Sequence, residues 1–374
     1  MNKFSKKYYQ ILFILTFLVV LFNLLVGFFS VGVSLDEISR EWRLQLNVIS
    51  TYFLGGAFFL LFLFGLLVRF IKLKFYWQYY YAYSLAIAIS WFVSRHISPM
   101  ILIGMIFFAL YSNITRGEYV VRSLIRRCNY ALSWYQIIPV FLIFLDINFL
   151  PPFYWFDGFR GMAFDRVEYA FFVGLAFMVL IITEDDYNLK FWFFLIGLSY
   201  CAIISQTRFL FLAIFLSIIC FWGLNKKIIP SLLLLIIIVW LGATFGGRED
   251  ILVTGRSELY VDYFEYIKNN VFLLIFGASQ FYQSYNQGDV PHNFILQSIL
   301  NWGLMGLVAW LIMIGKFYIE MDRGGKSLIV YLFSFGLFHP GVDAYLVTPI
   351  VALVFLISMG VDKKINLCGQ AAIE

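Results

Sequence analysis

Charge is what this chain has least of. Only 13% of its 374 residues are Asp, Glu, Lys or Arg, histidine occurs three times, and proline and cysteine number 8 and 4. Each shortage excludes something. Few charges together with a mean hydropathy of +0.85 argue against a water-soluble domain, because no soluble core hides that much apolar surface. His96, His292 and His339 have no ligand spacing, so a metal site is not expected. Cys128, Cys201, Cys220 and Cys368 lie in or beside apolar runs or in the C-terminal tail, unpaired in spacing, and read as small buried hydrophobes. A nucleotide-phosphate loop, a dinucleotide fingerprint and a serine nucleophile elbow are all missing, so no nucleotide cofactor is expected. No basic stripe suggests nucleic acid. The chain also lacks an internal repeat, which weakens a transporter built from inverted halves.

What the chain has is apolar length. Hydrophobic residues make up 62% of it, in about twelve long runs of the size that crosses a bilayer. In hydrocarbon every backbone polar group needs an internal partner, which leaves helices or a closed barrel. These runs are continuously apolar, without the in-out alternation of barrel strands, so the expected fold is all-α. Spans are expected near residues 9–29, 50–68, 76–93, 99–112, 129–149, 167–182, 191–204, 209–224, 228–245, 294–315, 327–338 and 345–360. Residues 1–374 then form one integral membrane domain, with no separate soluble unit. The run ending at Phe29 is too long for a signal peptide and lacks a cleavage site, so it reads as the first span.

Most of the 27 basic residues, among them Lys3, Lys6, Lys7, Arg122, Arg126, Arg127, Lys190 and Arg323, fall on one side of this arrangement. The excess of lysine and arginine on cytoplasmic loops then puts both termini in the cytoplasm. Loops 30–49, 150–166 and 246–293 face outward, the last being the large loop of the chain. Trp42, Trp77, Trp91, Trp134, Trp155 and Trp302 near span ends suit an interfacial aromatic belt. The 44 Phe and 24 Tyr are attributed mainly to lipid-facing surface and base composition. Within the large loop, Leu259, Tyr263, Tyr266 and Ile267 recur at helical spacing between Glu258, Asp262, Glu265 and Lys268. That pattern predicts an amphipathic helix over 257–269 on the outer membrane surface, with Ser257 as its N-cap.

The outward-facing ionisable residues are few. Arg208, in Ser205-Gln206-Thr207-Arg208, stands between two apolar runs with no room for a loop. A diphosphate would satisfy it by forked, charge-assisted hydrogen bonds, and snorkelling to the interface would satisfy it equally well. Arg248 and Arg256 flank a glycine-rich stretch able to close on an anion, or are ordinary solvated loop charges. His292 follows Pro291 at the mouth of a span and suits a general base near neutral pH, or a helix-start residue bonding backbone. His339 sits in a Pro-Gly turn between the last two spans, which is either turn chemistry or the border of a site.

The most specific string is His292-Asn293, nine residues, Gly303, two residues, Gly306. With Ser205-Gln206-Thr207-Arg208, Gly255-Arg256-Ser257-Glu258 and Phe276-Gly277, it resembles the O-antigen polymerase and O-antigen ligase superfamily of envelope glycosyltransferases. Arg160-Gly161 resembles a further motif of these families, with Asp165 to Glu168 where a Pro-Asn often follows. The likeness covers about 150–343. It implies a fold similar to C-type glycosyltransferases and metal-independent, inverting transfer of an oligosaccharide from undecaprenyl diphosphate, with no cofactor. Arg208 and Arg256 would hold the diphosphate, with Arg160 and Arg248 as further ligands. His292 would deprotonate or orient the acceptor hydroxyl, and Asn293 and His339 would help bind substrate. The implied setting is the bacterial inner membrane with the site facing the periplasm, and the implied partners are membrane lipid, a chain-length regulator and a flippase. A polymerase is expected; a ligase acting on lipid A-core, and a polysaccharide transporter or flippase, are the alternatives.

Overall fold

The computed structural model describes residues 3–33, 122–147, 153–155, 158–163, 166–184, 187–223, 256–269, 271–277, 293–337 and 348–361. They are mostly helical, as the apolar runs predict. The helices are α1 (Lys3–Val33), α2 (Arg122–Phe144), α3 (Arg166–Thr183), α4 (Leu189–Ile204), α5 (Arg208–Trp222), α6 (Arg256–Asn269), α7 (Val271–Phe276), α8 (Phe294–Glu320), α9 (Arg323–Gly336) and α10 (Thr348–Gly360). Between α2 and α3 a two-stranded antiparallel ladder joins β1 (Tyr154–Trp155) to β2 (Gly158–Phe159). The expected spans at 50–68, 76–93, 99–112 and 228–245 lie outside the described residues. Residues Gln10–Phe28 of α1 and Arg166–Thr183 of α3 are long and apolar enough to cross a membrane, while α4 and Phe209–Trp222 are shorter apolar helices.

Helix direction is fixed by pairs of contacts. Arg122 Nη2 at the start of α2 donates to Ile182 O at the end of α3 (2.8 Å), and Tyr169 OH near the start of α3 donates to Gln136 O (2.9 Å). Those two helices are antiparallel. The rings of Phe209 and Phe335 meet near the start of α5 and the end of α9 (4.8 Å), and at the other end of α5 Cys220 Sγ lies 3.6 Å from Tyr318 OH in the last turn of α8. Gly324 and Gly325 at the start of α9 face Val361 and Ser358 at the end of α10. The bundle therefore has two ends, one marked by Glu184, the other by Arg160.

The centre is α3, buried along most of its length. Gly174 is the reason α9 comes so close: a Cβ there would lie 2.3 Å from Tyr331 OH and 2.5 Å from Leu210 Cδ1. Tyr331 OH donates to Phe171 O (2.8 Å), and the rings of Phe171, Phe209, Tyr331 and Phe335 pack edge to face or tilted around this point. Among the described residues, many aromatics thus build the interior. Several helix hydroxyls are satisfied on their own turns: Thr16, Ser133, Ser199, Ser217 and Ser358 each donate to a carbonyl four residues back.

The outside of the bundle is as apolar as the inside. On α1, Ile11, Ile14, Leu18, Phe22 and Leu25 form an exposed stripe, Leu18 at 57%, while Leu12, Phe13, Phe17, Val20 and Leu24 are buried. Trp192, Ile196, Tyr200 and Ile203 make a similar exposed stripe on α4. A helix apolar all round is matched to hydrocarbon rather than to water.

Candidate functional site

The Arg160 end is built first from a turn. Arg160 N donates to Phe153 O (2.9 Å) and Ala163 N to Arg160 O (3.0 Å), closing the chain after β2. Gly161 has φ +52°, and a Cβ there would meet the Tyr169 ring at 2.4 Å, so only glycine lets the turn rest on that ring. Tyr135 OH donates to Met162 O (2.6 Å), tying the turn to α2. The Arg160 side chain is fully buried. Its Nη1 donates to Ala163 O (2.8 Å) and its guanidinium carbon stands 5.1 Å from the centroid of Phe28, which stacks on Phe153. In this arrangement Arg160 fastens the turn to α1.

Arg208 is the first residue of α5, after a three-residue connection that reverses the chain. Gln206 takes φ +51°, a left-handed conformation that costs a non-glycine residue about 1–3 kcal/mol unless neighbours enforce it. Ser205 and Thr207 on either side are buried and provide that enforcement. Thr207 has extended backbone at the N-cap position and makes no side-chain cap bond. A cation at a helix N-terminus opposes the local dipole, whereas an anion there is favoured by both.

Asn293 starts α8. Its Oδ1 accepts from Ile295 N (2.9 Å) and Leu296 N (3.2 Å), and its Nδ2 donates to Leu337 O (3.0 Å). Both ends of the amide are thus engaged, one capping α8 and the other holding the end of α9. Asn293 therefore anchors the chain beside His292 to the chain two residues before His339. That arrangement suits a positioning residue.

Arg256 is the first residue of α6, one position before the expected start, and Ser257 lies inside the helix rather than capping it. Tyr263 is fully buried against Leu300 of α8, with Tyr266, Leu274 and Ile299 around it. Asp262, Glu265 and Lys268 are exposed, together with Val261 and Phe264. Partial burial raises the pKa of the Tyr266 phenol. Arg248, His292 and His339 lie outside the described residues. Among the remaining candidates, Arg160, the start of α5 at Arg208 and Asn293 share one end of the bundle.

The opposite end holds a cluster that sequence reasoning missed. Arg122 Nε and Nη2 donate to Thr183 O (3.2 Å) and Ile182 O (2.8 Å), which would otherwise end α3 unsatisfied. Arg126 pairs with Glu184 (3.6 Å), Tyr130 OH donates to the same carboxylate, and Lys190 Nζ stands 3.4 Å from the Tyr130 ring centroid. The signal was present as an acid directly after an apolar run, facing a basic helix start. No family model, curated protein or solved structure matches this chain at a significant level.

Proposed function

We propose that this protein is an inverting, metal-independent glycosyltransferase of the O-antigen polymerase type, acting on undecaprenyl-diphosphate-linked oligosaccharide. The observation that carries this reading is the string from His292 to Gly306. Its Asn293 caps α8 and bonds Leu337 at the end of the bundle where Arg160 and the start of α5 also lie. A family resembled only through short motifs would not, by itself, require them to converge.

The proposed setting is a bacterial inner membrane crossed about twelve times, with both termini cytoplasmic and the Arg160 end facing the periplasm. The exposed apolar stripes of α1 and α4 support it, as does the placement of Arg122, Arg126, Lys190 and the helix start at Arg323 toward the Glu184 end. In the proposed step an acceptor sugar hydroxyl attacks the anomeric carbon from the face opposite the diphosphate. The new C–O bond forms as the bond from that carbon to the diphosphate oxygen breaks, and the diphosphate leaves with the electron pair. His292 takes the hydroxyl proton. Arg208 and Arg256, with Arg248 nearby in sequence, stabilise the negative charge growing on the leaving group, which is where such a reaction most needs help. Arg160 acts at one remove, by fixing the turn beneath them.

The test uses purified protein in lipid vesicles with lipid-linked repeat units. Polymer on the carrier supports a polymerase, and transfer only when lipid A-core is supplied points to a ligase. Movement of the lipid across the bilayer without any new glycosidic bond would overturn the enzyme reading in favour of a carrier.

A further inference from the structure

Helices α8 and α9 share both ends but differ greatly in length. At one end Asn293 Nδ2 bonds Leu337 O (3.0 Å), and at the other only Met321 and Asp322 separate them. Yet α8 has 27 residues and α9 has 14, so at the usual rise they measure about 40 Å and about 21 Å. Two straight helices of such unequal length cannot share both ends. The longer one must bend, and it does so at Gly303, the position inside α8 with non-helical backbone (φ 69°, ψ 179°). This divides α8 into an arm, 294–302, and a leg, 304–320, about 13 Å and about 25 Å long. Those lengths against α9 require a turn of roughly a right angle or sharper at Gly303. The arm therefore lies crosswise to the bundle axis at the Arg160 end, rooted by Phe294 against Phe333 (5.3 Å).

The elbow is also a dock. A Cβ on Gly303 would stand 2.0 Å from Ile275 O and 2.5 Å from Phe276 N, so the backbone of α7 rests directly on the glycine. Tyr263 of α6 is buried on Leu300 of the arm. We infer that Gly303 is a positioning residue, the joint that locks the arm bearing Asn293 to the loop helices that begin at Arg256. This rests on the glycosyl-transfer reading and deepens it: base and diphosphate-binding arginine belong to separate segments, and transfer needs their spacing held to within about an ångström.

Gly303→Ala should lower polymer formation at least tenfold in the purified protein. Tyr263→Ala, which breaks the dock from the loop side and leaves the α8 backbone alone, should do likewise. Gly315→Ala, in the same helix with nothing within 4 Å of its Cβ, should stay within twofold. In a chain whose native cysteines are replaced by alanine, Leu274→Cys with Ile299→Cys should be joined readily by a short bis-maleimide. Gly303→Ala should cut that yield, and the molecules that are joined should regain at least half of the lost turnover. Wild-type turnover in both Gly303→Ala and Tyr263→Ala overturns the proposal. So does lost turnover that is not restored once mass spectrometry finds the joined peptides. The cross-link yield reads the joint without any activity, so absent polymer in the parent chain would sink the enzyme reading while leaving the joint tested.

Discussion

The two ends of the bundle use the same residue type for opposite purposes. At the Glu184 end, arginines close contacts between helices: Arg122 caps the carbonyls of α3 and Arg126 meets Glu184. At the Arg160 end, Arg208 is the first residue of α5, where the backbone already favours a negative guest. Arg160 is the exception there, turned inward onto Ala163 O and Phe28. Arg122 is itself the first residue of a helix, so the carbonyls within its reach, more than its place on the helix, make it structural.

That contrast can be broken by substitution. Arg256→Lys keeps the charge but loses the fork, and polymer formation should fall roughly a hundredfold, whereas Arg126→Lys should stay within about twofold. Full-length polymer from Arg256→Lys would erase the asymmetry. His292→Ala should retain lipid-linked donor while losing transfer, with binding and turnover measured separately; unchanged turnover removes it from the reaction. Arg160→Ala should destabilise the protein by about 1–3 kcal/mol, since it leaves Ala163 O and the turn unsupported, and Gly161→Ala should cost a similar amount through strain. Thermal unfolding in detergent reads both, and an unshifted midpoint would return Arg160 to the ligand set. Asn293→Ala should cost about 1 kcal/mol for the lost cap, and its turnover should fall more than its stability if it positions His292. Smallest is Glu184→Gln, under about 1 kcal/mol, because Arg126 is 42% exposed and its charge is screened.

Much of the fold was readable because apolar length is a coarse signal. The expected spans at 9–29, 167–182, 191–204 and 209–224 match α1, α3, α4 and α5 to within a few residues, apart from α1, which begins at Lys3. The expected span 294–315 runs on to Glu320 and is broken at Gly303 into two helical pieces. The elbow at Gly303 was not readable. A glycine among apolar residues signals nothing about the sign of φ, and the partner that requires it, Ile275 O, comes from a distant segment. Nor does sequence tell which way Arg160 points. The pair Arg160-Gly161 fell within the expected loop 150–166, but the burial of the arginine depends on Phe28, more than a hundred residues earlier.

The bond from Tyr331 to Phe171 joins residues 160 positions apart. During synthesis α3 is therefore complete long before its late companion α9 exists. At about 5–20 residues per second the wait is on the order of ten seconds or more. Through that interval the notch at Gly174 stands open to whatever surrounds the nascent chain. Insertion factors able to shelter an unfinished helical hairpin would shorten that exposure, and stalled or truncated chains ending before Arg323 would never close it.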